Sequence, residues 1–233
     1  MRLFQKKKTV YADVKAEDIR LAALLDHHKI DTVLDIGANL GQYATRLRQS
    51  GFTGRIVSFE PLRKNHSVLQ SISTHDPKWD IAAPMAVGEE NGQIEINVSQ
   101  NHEMSSILPL EANTLTALPK SKYIGTEKVS IQTLDSLLDE YTDEKEKLFI
   151  KADTQGYEFS VLKGAAESIK KNKISGWQLE LSLLPLYGGE PTAEALMKWL
   201  KDRCFEPHFV LPGYFSKKLM RQLQIDIVFF KAS

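Results

Sequence analysis

The sequence predicts an α/β protein: a largely parallel sheet covered by helices on both faces, with an antiparallel strand at its end. Three observations predict it. Short β-rich runs alternate with helical patterns along most of the 233 residues, as in sheets built from parallel strands and crossover helices. The first β-rich run ends in a glycine turn that opens a helical pattern. The last two β-rich runs have no full-length helical pattern between them, so they can pair antiparallel.

The elements follow in order. Residues 16–28 read as an amphipathic helix, with Ile19, Ala22, Ala23 and Leu24 able to share a face. Residues 32–36 (TVLDI) form a strand ending at Gly37, and a helical pattern with Tyr43, Ala44 and Leu47 follows Gly41. Residues 55–59 (RIVSF) are a second strand, stopped by Glu60-Pro61, and residues 65–73 are helical. A third strand lies within residues 79–87, shortened or interrupted by Pro84. Residues 93–98 alternate with period two, as in a half-buried strand. Residues 101–125 are irregular, with Pro109 and Pro119, and loops of that length are often functional. Strands follow at 129–131, 148–152, 177–184, 206–211 and 225–230, with helices at 134–141, 157–171 and 192–203.

Composition narrows the class. Thirty basic and thirty acidic residues give a formal net charge of zero, with 42% apolar and 26% charged residues. These ordinary globular values exclude disordered, collagen-like and coiled-coil chains. The length suits one large domain, which buries roughly 70% of its unfolded surface without a disulfide or metal staple. Cys204 is the single cysteine and cannot form an internal bridge, which points to a reducing, cytoplasmic setting. No stretch reaches the ~18 apolar residues of a membrane span. No apolar segment follows the first charges, so no secretory signal is expected. Lys6, Lys7 and Lys8 read as a solvated tail. Zero net charge argues against a dedicated nucleic-acid binder.

The glycine turn carries the chemistry. In open α/β sheets, ligands bind beyond the carboxyl ends of the strands, and DIGANLG (35–41) sits at such an end. Gly37 lets backbone approach a ligand, and Gly41 lets the helix start close to the sheet. Glu60, nineteen residues after Gly41, ends the second strand, where a carboxylate can accept hydrogen bonds from ribose hydroxyls. The spacing is not G-x-G-x-x-G, because Asn39 stands where the middle glycine would be. Asp35 would repel a diphosphate and suits a cationic ligand, such as the amine or sulfonium of S-adenosylmethionine. A nicotinamide-dependent oxidoreductase is the enzyme alternative. The non-enzyme alternative is a cofactor-binding module without turnover.

DIGANLGQYA (35–44), FEPL (59–62), VSIQTLDSLL (129–138), KADTQGYEFSVLKGA (151–165) and WQLELS (177–182) stand in this order. Together, over residues 32–187, they resemble the FkbM-type S-adenosylmethionine-dependent methyltransferases. The resemblance implies a Rossmann-like class I methyltransferase fold: a seven-stranded, mostly parallel sheet with an antiparallel last strand. It implies S-adenosylmethionine as cofactor and O-methyl transfer to a carbohydrate or a glycosylated or polyketide-like small molecule. It places Asp35, Gly37, Ala38, Asn39 and Gly41 at the methionine and amine end. Glu60 would hold the ribose, Pro61 and Leu62 would flank the adenine, and Ala86 and Val87, in the turn after strand three, would contact the adenine's other side. Residues 1–30 become a tail and a helix packed on the core. Residues 31–233 become the methyltransferase domain, with 100–126 as an acceptor lid.

A hydroxyl acceptor needs alignment and help in losing its proton. Asp153, at the end of strand four, is the first candidate for general base, with helix capping as its alternative role. Glu180, on the next strand, is the second; two nearby carboxylates can split roles or raise one pKa. His102 is a third candidate, lying just before Ser105 and Ser106, a serine pair that also resembles the family. Tyr187 could stack on a sugar face. No histidine pair has H-E-x-x-H spacing and the lone cysteine excludes a thiolate cluster, so no metal is assigned. Asp153-Thr154-Gln155-Gly156 stands where amino-methylating nucleic-acid enzymes carry Asp-Pro-Pro-Tyr or Asn-Pro-Pro-Tyr.

Overall fold

The structure, a computed structural model, describes residues 14–232. In chain order, α1 (Ala16–His27) leads into β1 (Thr32–Ile36), α2 (Gln42–Gln49), β2 (Arg55–Phe59), α3 (Arg63–Ser73), β3 (Trp79–Ile81) and β4 (Met85–Gly88). There follow β5 (Gly92–Ser99), α4 (Ala112–Ala117), β6 (Tyr123–Thr133), α5 (Leu134–Tyr141), β7 (Leu148–Ala152), α6 (Glu158–Lys163) and α7 (Ala166–Lys170). The chain closes with β8 (Ile174–Ser182), α8 (Ala193–Lys201), β9 (Phe205–Pro212), β10 (Phe215–Ser216), β11 (Arg221–Gln222) and β12 (Gln224–Lys231). Lys6, Lys7 and Lys8 lie outside the described residues.

The main sheet has seven strands in the order β3-β2-β1-β7-β8-β12-β9. β12 runs antiparallel to both β8 and β9, and the remaining pairs are parallel. Every residue of β1 and of β7 is buried, which is why both read as continuous β-rich runs. The order reverses between β1 and β7. That switch point opens a crevice at the carboxyl ends of the central strands.

A second sheet of three strands, β4-β6-β5, stands beside the first. The expected third strand is therefore two elements. β3 ends at Ile81, and the chain leaves the main sheet through Pro84, which has no N–H for a ladder bond. Met85 to Gly88 then pair in parallel with β6. β6 begins six residues earlier than its apolar core predicts, because its exposed N-terminal half pairs with β5. Residues 101–125, read as irregular, also hold α4 and two 3₁₀ turns, His102–Met104 and Pro119–Ser121.

Two helices differ from their sequence pattern. In α1 the buried face is Leu21, Ala22 and Leu25, whereas Ile19 and Ala23 face solvent. This face joins the cluster around Val33, Phe149 and Phe230 on one side of the sheet. The single helix expected at 157–171 breaks into α6 and α7 at Gly164, where an added Cβ would lie 1.9 Å from the Gly88 carbonyl oxygen. The close approach seats α6 against β4. Among the described residues, no helix is long and apolar enough to cross a membrane.

Candidate active site

The β1–α2 turn bends through left-handed backbone at Gly37 (φ 75°), Asn39 (φ 50°) and Gly41 (φ 81°). Gly37 is required by close approach: a Cβ there would sit 2.0 Å from the carbonyl oxygen of Asp153, at the end of β7. The N–H groups of Gly37 and Ala38 donate to Phe59 O, both at 3.0 Å, and tie the turn to β2. Gly37→Ala combines this overlap with an unfavourable φ, so the expected result is a stability loss of roughly 2–4 kcal/mol together with loss of cofactor binding. Urea unfolding and calorimetry read the two effects.

Asp35 and Gly41 are not on the wall of the crevice. Gly41 faces inward, where an added Cβ would meet Leu69 and Trp79 at 2.8 and 3.0 Å, so it serves the packing of α2 on the sheet. Asp35 lies beneath the turn, fully buried, and already has its cation: Lys151 Nζ is 3.1 Å from Asp35 Oδ1. The two residues are direct cross-strand neighbours in the β1–β7 register. The expectation that Asp35 meets a ligand cation is thus corrected. Its charge is matched inside the protein, because an unpaired buried carboxylate would be costly. Lys151 Nζ also donates to Gly37 O at 3.1 Å and lies 3.6 Å from Asp153 Oδ2. Burial alone would lower the lysine, but Asp35 and Asp153 more than offset it and hold its pKa above the ordinary value.

The crevice is one cavity of about 460 Å³. Gly37, Ala38, Asn39, Glu60, Pro61, Ala86, Val87, His102, Asp153 and Glu180 all line it. Ala86 and Val87 do so from strand β4 rather than from a turn after β3. Glu60 is fixed at the end of β2. Its Oε2 accepts from the Asn39 N–H at 2.8 Å and its Oε1 from the Leu62 N–H at 2.9 Å. Burial outweighs these bonds and pushes its carboxyl up to about 7. Residues 101–107 roof this end. His102 Nδ1 lies 2.9 Å from Asn39 Nδ2, and Asn65 Nδ2 donates to Asn39 Oδ1 at 3.1 Å. The structure therefore sets His102 over the glycine turn.

Across the cavity lies a carboxylate cluster. Gln155 Nε2 donates both to Asp153 Oδ1 and to Glu180 Oε2, each at 2.7 Å. Gln224 Nε2 donates to Glu180 Oε2 at 2.6 Å. Asp226 stands opposite Glu180 in the β8–β12 register and also lines the cavity. Like charges as cross-strand neighbours oppose ionisation. Burial first, then Asp153 and Asp226, raise Glu180 well above the usual carboxylate range. Burial first, then Asp153, brings Asp226 to about 6.

Asp153 is not a helix cap: α6 has Tyr157 at its N-cap with no side-chain cap bond, and Glu158 Oε1 instead braces the loop before the helix, accepting from Thr154 N–H at 2.6 Å and from Thr154 Oγ1 at 3.1 Å. Burial pushes Glu158 up to about 8. Tyr187 is fully buried and cannot stack on a sugar; its hydroxyl donates to Gln155 Oε1 at 2.6 Å and fixes that amide. Among the described residues, no group of three or more His, Cys, Asp or Glu is arranged to hold a metal.

Lys151, Gln155, Gln224 and Asp226 belong to this site and were not singled out by sequence reasoning. Asp226 had a signal: it is the one charge within the apolar run at 225–230. The donor set as a whole fits a ligand with a ribose, a flat ring and a positive charge. Glu60 suits the first, the wall of Leu62, Ala86 and Val87 the second, and the carboxylates of Asp153 and Asp226 the third.

Comparison with known proteins agrees. The profile of the FkbM methyltransferase domain matches residues 35–207. The chain is similar to a solved structure of cofactor-bound Rv0187 from MTB, with a TM-score of 0.54 and 11% identity over 97% of this chain and 83% of that one. It is also similar to a putative methyltransferase from Thermobifida fusca YX, with a TM-score of 0.51 and 10% identity over 93% of this chain and 79% of that one. At such identities the likeness is one of fold. No curated protein matches the chain. The profile match spans most of the chain and the strand order supplies the fold: the chain belongs to the FkbM methyltransferase family, with the class I fold and S-adenosylmethionine as its methyl donor.

Proposed function

We propose that this protein methylates a hydroxyl of a carbohydrate, or of a glycosylated or polyketide-like small molecule. The observation that carries the reading is the bridged pair Asp153–Gln155–Glu180 at the carboxyl ends of β7 and β8. Bound in the cavity, S-adenosylmethionine supplies a methyl group already activated by its sulfonium. The protein must bind the donor, align the hydroxyl and accept a proton. Glu60 binds the ribose, and Lys151 holds the glycine turn beside it. Gln155 fixes Asp153 Oδ1, and Asp153, whose side chain is 34% exposed, accepts the hydroxyl proton. Glu180, whose pKa is raised by burial and by Asp153, orients the acceptor. The roof at residues 101–107, within the lid segment 100–126, excludes water. His102 steadies that roof through Asn39.

The cavity is also lined by Asp18, Arg46, Gln178, Gln224 and Asp226. Planar polar side chains of this kind suit an acceptor with several hydroxyls. A nicotinamide dinucleotide would set its diphosphate on the glycine turn, beside which Asp153 lines the cavity, and this disfavours that alternative. The reading is tested by incubation with labelled S-adenosylmethionine and a panel of glycans and glycosides, followed by mass spectrometry. Methyl added to a hydroxyl oxygen is the expected product. Transfer confined to amines, or no transfer with tight cofactor binding, would remove the O-methyl assignment.

Glu60 also makes cofactor binding pH-dependent. Its folded pKa of about 7 lies above the ordinary carboxylate value, so its contribution to stability is present in acid and lost as pH rises through 7. Ribose hydroxyls donate to the ionised form. Affinity for S-adenosylhomocysteine should therefore rise between about pH 6 and 8, with proton release on binding near pH 7. Calorimetry in buffers of different ionisation enthalpy measures that release. Glu60→Gln should bind more weakly and lose most of the pH dependence.

A further inference from the structure

We propose that the hairpin formed by β10 and β11 docks the protein on an anionic lipid surface and sets the acceptor end of the cavity against it. The hairpin is short, two paired residues on each strand, and its tip side chains are exposed. Phe215 pairs with Gln222 and Ser216 with Arg221, leaving Lys217, Lys218, Leu219 and Met220 at the tip. Ser216 is buried, and its Oγ accepts from the Leu219 N–H at 3.2 Å, which shapes the tip. Tyr214, Phe215, Leu219 and Met220 are all exposed, Met220 by 76% and Phe215 by 45%. Leu183, 40% exposed, adjoins them at the base, where its N–H donates to Leu223 O.

Charge completes the pattern. Lys217, Lys218 and Arg221 lie on the hairpin, and residues 207–225 contain no Asp or Glu, in a chain whose net charge is zero. Lys218 Nζ donates to Thr116 O at 3.0 Å and Arg221 Nη2 to Leu183 O at 3.5 Å, so both contacts are with neutral carbonyls. Large apolar tips interleaved with cations that make no ion pair among the described residues are the chemistry of an interfacial anchor. Phosphates of a nucleic acid would satisfy the cations but gain nothing from an exposed leucine and methionine. The hairpin is continuous with the cavity rim, because Leu211, Pro212 and Tyr214 line it. A docked hairpin therefore faces the cavity mouth toward the headgroups. Its consequence for substrate, a lipid-linked hydroxyl, rests on the O-methyl reading above; the docking itself does not.

The test is co-sedimentation of the full chain with vesicles of phosphatidylcholine alone or mixed with phosphatidylglycerol. Binding to the mixed vesicles only, weakening with added salt, is expected. Lys217→Glu combined with Lys218→Glu should lower the apparent affinity about 25-fold or more, since each cation near an anionic surface contributes about fivefold. Leu219→Ser combined with Met220→Ser should lower it at constant charge, and both variants should keep S-adenosylhomocysteine affinity. Equal binding by the variants, sedimentation with neither vesicle, self-association through the hairpin or preference for RNA overturns the proposal. Vesicle binding needs no turnover, so a failed methylation assay and a failed docking assay remain distinguishable.

Discussion

Lys151→Met is expected to destabilise the protein by about 3–5 kcal/mol, because it leaves the Asp35 carboxylate buried without its cation. Asp35 has no solvent contact, and Lys151 Nζ is its charge partner at 3.1 Å. The same ammonium donates to Gly37 O, so the substitution also frees the turn that faces the cofactor. Unfolding in urea should show the loss as a lower midpoint at unchanged slope. The double variant Asp35→Leu, Lys151→Met removes both charges. It should recover much of the stability while leaving cofactor affinity impaired, since the Gly37 contact is still missing. If the single and double variants are equally unstable, the pair is not what makes Lys151 necessary.

Asp153→Asn is expected to lower kcat by roughly 10²–10⁴-fold, the usual range for removal of a general base, while S-adenosylhomocysteine affinity stays within about threefold. Asparagine retains an oxygen to accept from Gln155, so the geometry should persist and only the basicity goes. Glu180→Gln supplies the contrast. Glu180 is raised well above the usual carboxylate range by burial and by Asp153, so replacing it with a neutral amide is a smaller electrostatic change than at Asp153. Its effect should be markedly smaller. A larger loss from Glu180→Gln than from Asp153→Asn would exchange the two roles.

The central strands were legible because β1 and β7 are buried on every residue and read as apolar runs, with glycines where the chain must turn left-handed. The end of β12 was legible as antiparallel because no helix separates it from β9. The split at Pro84 was visible only as an interruption. That β4 joins another sheet depends on β6, whose paired residues lie forty-five positions on. The site was half legible. Glu60, Asp153 and Glu180 sit at strand ends, where position alone suggests a crevice. The role of Asp35 was not, because its partner Lys151 is far along the chain and meets it only through the β1–β7 register. The same holds for Asp226 beside Glu180. Tyr187 lies within the Gly/Pro-rich segment 184–191 and reads as a rim residue, yet the close approach of Gly156 seats its ring in the core.

A crystal structure of the complex with S-adenosylhomocysteine tests the central claim most directly. The account predicts ribose hydroxyls on Glu60, the base against Leu62 and Ala86, and the sulfur end turned toward Asp153 with Lys151 still paired to Asp35. A nucleoside bound elsewhere, or a ribose that leaves Glu60 bonded only to its own backbone amides, would contradict it.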